Sequence, residues 1–124
     1  MDKRLCIECI KAINGINFAE SIEDENTIGY ITDNDRLIKV LYLEDNIGKY
    51  IALAFCAVKK DNHQTVSELL SRRIMNGRHE VCEDMIILSS IFPILDTKFL
   101  YKQINHALLE IWDMNNIAEN APEK

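Results

Sequence analysis

The stretch from Asn17 to Val58 constrains the fold most, because short apolar or β-branched runs alternate there with clusters of turn-forming residues. The runs cover residues 17–22, 27–32, 37–43 and 50–58. The clusters between them are rich in Asp, Asn, Glu and Gly, which favour tight reversals by bonding to nearby backbone or by tolerating positive φ. This stretch is therefore predicted to form a meander of four strands.

The last of these runs has two faces of different size. Successive side chains of a strand point to opposite faces, so Ile51, Leu53 and Phe55 share one face. Ala52, Ala54 and Cys56 share the other. The bulky face is expected to meet the helices. The face of small side chains allows a second layer to approach closely, either from within the protomer or from a partner.

Two helices are predicted from apolar stripes and their end signals. The first covers residues 2–14, with Asp2 as candidate N-cap and Gly15 just past its end. The middle helix is expected to start at the capping box Thr65–Glu68 and to stop at Asn76-Gly77. Its apolar stripe consists of Val66, Leu69, Leu70 and Ile74.

The sequence of the C-terminal third predicts one or two further strands and one long helix. Residues 81–92 indicate one or two strands that end at Pro93. Asp96 is expected to cap the last helix, with Leu95 and Leu100 forming a hydrophobic staple. That helix should run to about Asn116, and residues 117–124 should form a flexible tail. Residues 1–116 are thus predicted to be a single α+β domain.

Composition narrows the classes of partner. The 124 residues carry a formal net charge of -6, so nucleic acid and anionic lipid surfaces are expected to repel the chain. No apolar run approaches the roughly 20 residues that span a bilayer. The four cysteines lie in apolar stretches, which favours reduced, buried thiols. A cytoplasmic protein without membrane contact is predicted.

The sequence contains few patterns that indicate catalysis or metal binding. Cys6 and Cys9 form a C-x-x-C, and His79 and Cys82 form an H-x-x-C, so a Cys₃His zinc site can be written from these four residues. Cys6 and Cys9, however, share a helix face for packing reasons alone. The histidines are far apart in sequence, no serine lies in a nucleophile elbow, and the glycines are scattered. We therefore predict no enzyme, no bound metal and no cofactor.

The order of elements, together with two local features, resembles a known family. A glycine and an alternating strand follow the first helix at Gly15-Ile16-Asn17-Phe18, and the segment 91–96 leads through Pro93 into a last helix that carries Trp112. Over residues 3–116 this arrangement resembles the class I type III secretion chaperones, with Phe92 where that family has leucine. The resemblance implies an antiparallel twisted sheet with three helices in the order α-β-β-β-α-β-β-α. That order has one strand fewer before the middle helix than the meander predicts.

The resemblance also implies a function. The chain would be an ATP-independent chaperone that binds the N-terminal segment of a secreted effector and keeps it non-globular for export. It would act as a homodimer, joined through the middle helix and the neighbouring strand at Val66, Leu69, Leu70, Ile74, Met85 and Ile87. The effector would contact Ile7, Ile10, Phe18, Ile28, Tyr30, Leu41 and Leu43. An extended guest can add a strand to a sheet edge and place alternate side chains in apolar pockets.

Two other classes remain open from the sequence. One is a binding protein of another kind, either a regulator with the related YbjN-like fold or a small immunity protein that blocks a toxin. The other is a zinc- or redox-dependent protein, for which the C-x-x-C is the only support.

Overall fold

The computed structural model describes residues 3–33, 36–58, 63–72, 77–82 and 85–120, with the backbone alone for 57, 58, 63, 82 and 97. The elements are α1 (Lys3–Lys11), β1 (Asn17–Glu20), β2 (Thr27–Asp33), β3 (Arg36–Glu44), β4 (Lys49–Val58), α2 (His63–Ser71), β5 (Arg78–Cys82), β6 (Met85–Pro93) and α3 (Thr97–Asn120). The α+β class with three helices is confirmed. Four strands precede α2, so the meander is confirmed and the order with only three strands there is wrong.

The six strands form one antiparallel sheet in the order β1-β2-β3-β4-β6-β5. Each of the first three strands pairs with the next, as tight reversals require. The chain then passes through α2 to the far edge, where β5 forms, and β6 returns between β5 and β4. Both strands predicted as alternatives within 81–92 therefore exist, and β5 begins earlier, at Arg78.

The helices lie on one face of the sheet, which we call the core face. Apolar residues of α1, α2 and α3 share a single core with alternate residues of the strands, including Val40 and Leu53. Val40 pairs with Leu53, and Leu53 pairs with Ser90, so this row of the ladder points toward the helices. The neighbouring row, Leu41–Ala52–Ile91, points the other way. We call that side the outer face.

Gly29 lies where β1 packs closely against β2. The register of β2 against β3 shifts between Thr27 and Gly29, which marks a β-bulge. A Cβ atom on Gly29 would stand only 2.4 Å from the Phe18 ring and from the carbonyl oxygen of Ala19. The lack of a side chain at this position therefore lets β1 and the Phe18 ring pack against β2.

Several predicted element ends need correction. α1 ends at Lys11, before residue 14, and the predicted cap Asp2 lies outside the described residues. Gly15 adopts a φ of 88°, but it lies four residues beyond the end of α1, in the turn before β1, so it does not follow the helix directly as predicted. α2 begins at His63, so Thr65 lies within the helix and the capping box does not mark its start. α2 ends at Ser71, short of the predicted stop, of which Asn76 lies outside the described residues.

The last helix begins where predicted and continues further. The Asp96 carboxylate accepts the backbone N–H of Lys98 at 3.3 Å, which confirms the cap. Leu95 is 70% exposed while Leu100 is buried, so the predicted staple between them is wrong. The helix passes residue 116 and ends at Asn120. Ala118 is buried and Ile117 packs against the core, because the apolar stripe of α3 continues into this turn.

Candidate functional site

The described helices leave the outer face of the sheet uncovered, and most of its side chains on the central strands are apolar. Its rows come from the central strands β3, β4 and β6, with minor contributions from β2. The side chains are half-buried or exposed, and Leu37 (58% exposed) and Ile91 (40%) are the most open of the branched ones. The outer-face residues on the three central strands are Leu37, Lys39, Leu41, Leu43, Tyr50, Ala52, Ala54, Cys56, Met85, Ile87, Ser89 and Ile91.

Small residues form a shallow trough along the middle of this face. Ala52 lies between its cross-strand neighbours Leu41 and Ile91, which are both larger. Ala54 lies one row further along, between Lys39 and Ser89. Side chains of alanine size let a second layer approach the strands closely, while the branched residues beside them supply apolar walls. The trough can therefore receive alternate apolar side chains of another chain segment.

One corner of the outer face is held anionic by hydrogen bonds. The Tyr30 hydroxyl donates to Glu23 Oε1 at 2.6 Å, and Lys39 Nζ lies 3.2 Å from the same oxygen. The Tyr30 hydroxyl, and then the Lys39 ammonium, hold the pKa of Glu23 below its usual value. Asp24 accepts the backbone N–H of Thr27 at 2.7 Å, which lowers the pKa of Asp24 as well. Two carboxylates against one ammonium leave this corner negative.

A second charged cluster joins α1 to β1 on the core-face side. Glu20 accepts hydrogen bonds from Lys11 Nζ, at 2.9 Å, and from the Arg4 guanidinium. The Lys11 bond, and then the Arg4 bond, lower the pKa of Glu20. Arg4 also pairs with Glu8 one turn along the helix at 2.6 Å. These exposed pairs fix the helix over the edge strand and bring no charge to the outer face.

Trp112 joins α3 to the β2–β3 hairpin. Its indole N–H donates to Asp33 Oδ2 at 2.7 Å, and its ring meets Phe55 edge-on with centroids 5.1 Å apart. The Arg36 guanidinium lies 4.3 Å from the indole centroid, within cation–π range. The tryptophan that contributes to the family resemblance thus has an architectural role here, on the core-face side.

The seven residues predicted to contact an effector divide between the two faces. Ile7, Ile10 and Ile28 lie in the core and offer no surface to a guest, so the prediction is wrong for these three as surface residues. Their stripe positions identified an apolar face but could not tell whether it covers the sheet or meets a partner. Phe18 is half-buried and packed against the core. The remaining three, which are half-buried on the outer face, are Tyr30, Leu41 and Leu43.

The predicted dimer residues divide in the same way. Val66 and Leu70 are buried in the core, and Leu69 packs against it. This apolar stripe of α2 is therefore buried within the protomer. Ile74 lies outside the described residues. The last two, Met85 and Ile87, are half-buried on β6, where Ile87 pairs with Cys56 of the outer face.

The cysteine and histidine residues form no cluster in the part of the chain that the structure describes. Cys6 is buried in the core and Cys9 half-buried beside it. The His79 ring lies 3.0 Å from the Ser67 hydroxyl and so links β5 to α2. Within the described residues, no group of three or more His, Cys, Asp or Glu side chains could hold a metal ion.

Comparison of the chain with protein-family models, with curated proteins and with solved structures gives no match. The resemblance to the secretion chaperones therefore stays a prediction. None of the described helices is long and apolar enough to cross a membrane.

Sequence reasoning missed part of the outer face. Leu37, Cys56 and Ile91 are exposed there, yet none of them was among the predicted contact residues. The signal was present, because Cys56 shares a strand face with Ala52 and Ala54, and Leu37 shares one with Leu41 and Leu43. Only the strand register shows that these rows lie side by side.

Proposed function

We propose that this protein is an ATP-independent chaperone that holds the N-terminal segment of a secreted effector, extended, against the outer face of its sheet. The apolar outer face is the observation that carries this proposal. An antiparallel sheet with helices on one side commonly presents polar side chains on its other side. Here the other side presents Leu41, Leu43 and Ile91 around a trough of alanines.

The free energy of burying apolar surface favours an extended guest with hydrophobic side chains. Covering apolar surface yields about 25 cal/mol for each Å² removed from water. A guest that fills the trough with alternate side chains gains this without needing a catalytic group or nucleotide in the host. The anionic corner around Glu23 and Asp24 suits a guest with lysine or arginine at the matching position.

A homodimer belongs to the same proposal. The guest-side residues Leu41 and Leu43 lie on β3, and Met85 and Ile87 lie on β6, two strands away. The two halves of the outer face are thus separate enough for a second copy to use one and a guest the other. Light scattering at micromolar concentration should give twice the 14.3 kDa mass of one chain. A strict monomer in the presence of guest contradicts this part of the proposal.

The guest-binding function is tested by capture from the native cell with matched variants. Tagged wild-type protein should retain a secreted protein, and limited proteolysis of the complex should leave the N-terminal segment of that protein bound. Leu41→Lys places a charge in the trough and should reduce the yield at least tenfold. Leu109→Lys makes the same change at a leucine that is 68% exposed on α3 and should capture as the wild type does.

Two results would overturn the proposal. Equal capture by wild type and Leu41→Lys would show that the outer face is not the binding surface. Retention of a folded toxin, with no extended segment protected, would place the chain among immunity proteins.

A further inference from the structure

The trough on the outer face ends at a cavity beside the turn between β3 and β4. The alanines that form the trough, Ala54 and Ala52, are followed on the same face of β4 by Tyr50. A cavity of about 400 Å³ lies at this point, between β3, β4 and the last residues of β6. We call it the end cavity, and its lining residues are Asn26, Leu43, Glu44, Asp45, Tyr50 and Ile91.

Three of the lining side chains form apolar or aromatic walls that continue the outer face. Leu43 is the cross-strand partner of Tyr50, and both are half-buried. Ile91 is exposed one row away, where it pairs with Ala52. The end cavity is therefore continuous with the trough, and a chain segment that lies along the trough reaches it directly.

Asp45 supplies a carboxylate beside the Tyr50 ring. Its Oδ1 accepts the backbone N–H groups of Ile47 and Gly48 at 2.8 and 2.9 Å, which holds the side chain over its own turn. The Tyr50 hydroxyl lies over the same glycine, 3.6 Å from where a Cβ atom of Gly48 would be. Both hydrogen bonds of the Asp45 carboxylate within the described residues use Oδ1, so Oδ2 is available to a ligand.

The lining of the end cavity carries negative charge. It includes the two acidic residues Glu44 and Asp45 and no basic residue. Lys49 Nζ lies 3.8 Å from Glu44 Oε1, but successive residues of a strand point to opposite faces, so Lys49 is on the other face of β4 from Tyr50. Asp45 has no ion pair among the described residues. A cation fits this lining better than an anion or a neutral group.

We propose that the end cavity binds an arginine side chain of the guest, with its methylene groups along Leu43 and Ile91 and its guanidinium over the Tyr50 ring, beside Asp45. Arginine combines an apolar stem with a planar cation, so it matches both the walls and the charge of the cavity. The guanidinium stacks on aromatic rings and forms charge-assisted hydrogen bonds with carboxylates. A lysine ammonium is a strongly hydrated point charge and uses the ring less well.

The geometry of β4 also sets where the arginine stands in the guest. Ala54, Ala52 and Tyr50 are two residues apart, so they repeat about every 6.6 Å along the strand. Alternate residues of an extended guest have the same repeat. Two apolar side chains over the alanines therefore place the arginine two positions further on, in the order apolar-x-apolar-x-Arg or its reverse. The inference rests on the proposed function in this respect, because the guest lies extended along the trough.

The probes are two capped heptapeptides, Ser-Leu-Ser-Leu-Ser-Arg-Ser and the same residues in reverse order. Each has a twin in which citrulline, which has nearly the shape of arginine but no charge, replaces the arginine. Titration into the ¹⁵N-labelled full chain should shift the backbone amide resonances of Ala52 and Tyr50. At least one arginine peptide should bind about fivefold or more tightly than its citrulline twin.

Matched variants locate the site. Asp45→Asn removes the charge and keeps an oxygen for the N–H groups of the turn, so it should weaken the arginine peptide about fivefold and leave the citrulline peptide unchanged. Tyr50→Leu keeps an apolar wall without the ring and should weaken the arginine peptide by a similar factor. Glu68→Gln and Tyr101→Leu make the same changes at exposed residues of α2 and α3 and should bind as the wild type does.

Four results would overturn the inference. They are the absence of shifts with both arginine peptides, equal binding of the arginine and citrulline peptides, full affinity of Asp45→Asn for the arginine peptide, and binding of N-acetylarginine amide as tight as that of the peptides. Its failure is distinguishable from failure of the proposed function. Capture of an effector that is lost in Leu41→Lys but unchanged in Asp45→Asn and Tyr50→Leu would leave guest binding intact and remove only the arginine site.

Discussion

The neighbours of a position in this sheet decide which side chain it can carry, and Gly29 is the clearest case. Gly29→Ala should destabilise the fold by about 2 kcal/mol or more, because the new methyl group meets both the Phe18 ring and the Ala19 carbonyl. Urea unfolding measures the change. Gly48→Ala is the matched control, since its nearest neighbour would be the Tyr50 hydroxyl at 3.6 Å, an ordinary contact. Equal stability of the two variants would contradict the close approach of β1 to β2.

Asp24 makes part of the stability depend on pH. Hydrogen bonds from Thr27 hold the folded-state pKa of Asp24 below the ordinary value of 3.8, so the stabilisation is present above that value. It is lost as the pH falls through the lowered folded-state pKa. The stability gap between wild type and Asp24→Asn should therefore be largest near neutral pH and narrow below pH 3.8. Urea unfolding across that range checks this, and a gap that stays constant or widens on acidification would be the opposite result.

At the scale of elements, the end of α3 separates helix from tail. Deleting residues 117–124 removes Ile117 and the buried Ala118, and should cost about 2 kcal/mol of stability. Deleting 121–124 alone keeps the whole helix to Asn120 and serves as control. Thermal and urea unfolding of both truncated chains measure this difference in stability. Equal stability of the two would mean that the last helical turn contributes nothing to the core.

How far the elements could be predicted depends on how local their causes are. The meander follows from turn chemistry between β1 and β4, which is written in the adjacent residues. The start of α2 was misjudged because Thr65 and Glu68 satisfy a capping pattern that also fits inside a helix. The end of α3 was misjudged because Ile117 looks like a lone apolar residue until the core is known to extend that far.

The candidate site was harder to predict, for a physical reason. Periodicity identifies which residues share a face of an element, but it cannot say what covers that face. Ile7 and Leu41 both lie in regular apolar patterns, yet the first is buried under the sheet and the second is on the outer face.

For the whole molecule, the central claim is that the outer face binds another polypeptide. The chain places three helices on one side of six strands and leaves branched apolar residues on the other. A net charge of -6 limits non-specific association of this surface. A partner that covers the trough would add a layer on the side of the sheet that the helices leave open.

Photo-cross-linking from Cys56 tests this claim most directly, because Cys56 is exposed on the outer face while Cys6 is buried. A benzophenone attached there, in a chain that also carries Cys9→Ser and Cys82→Ser, reports what lies over the trough. We expect cross-links to the N-terminal segment of the co-purified secreted protein, and their loss in Leu41→Lys. Partner complexes that form fully but yield no cross-link from Cys56 would contradict the claim.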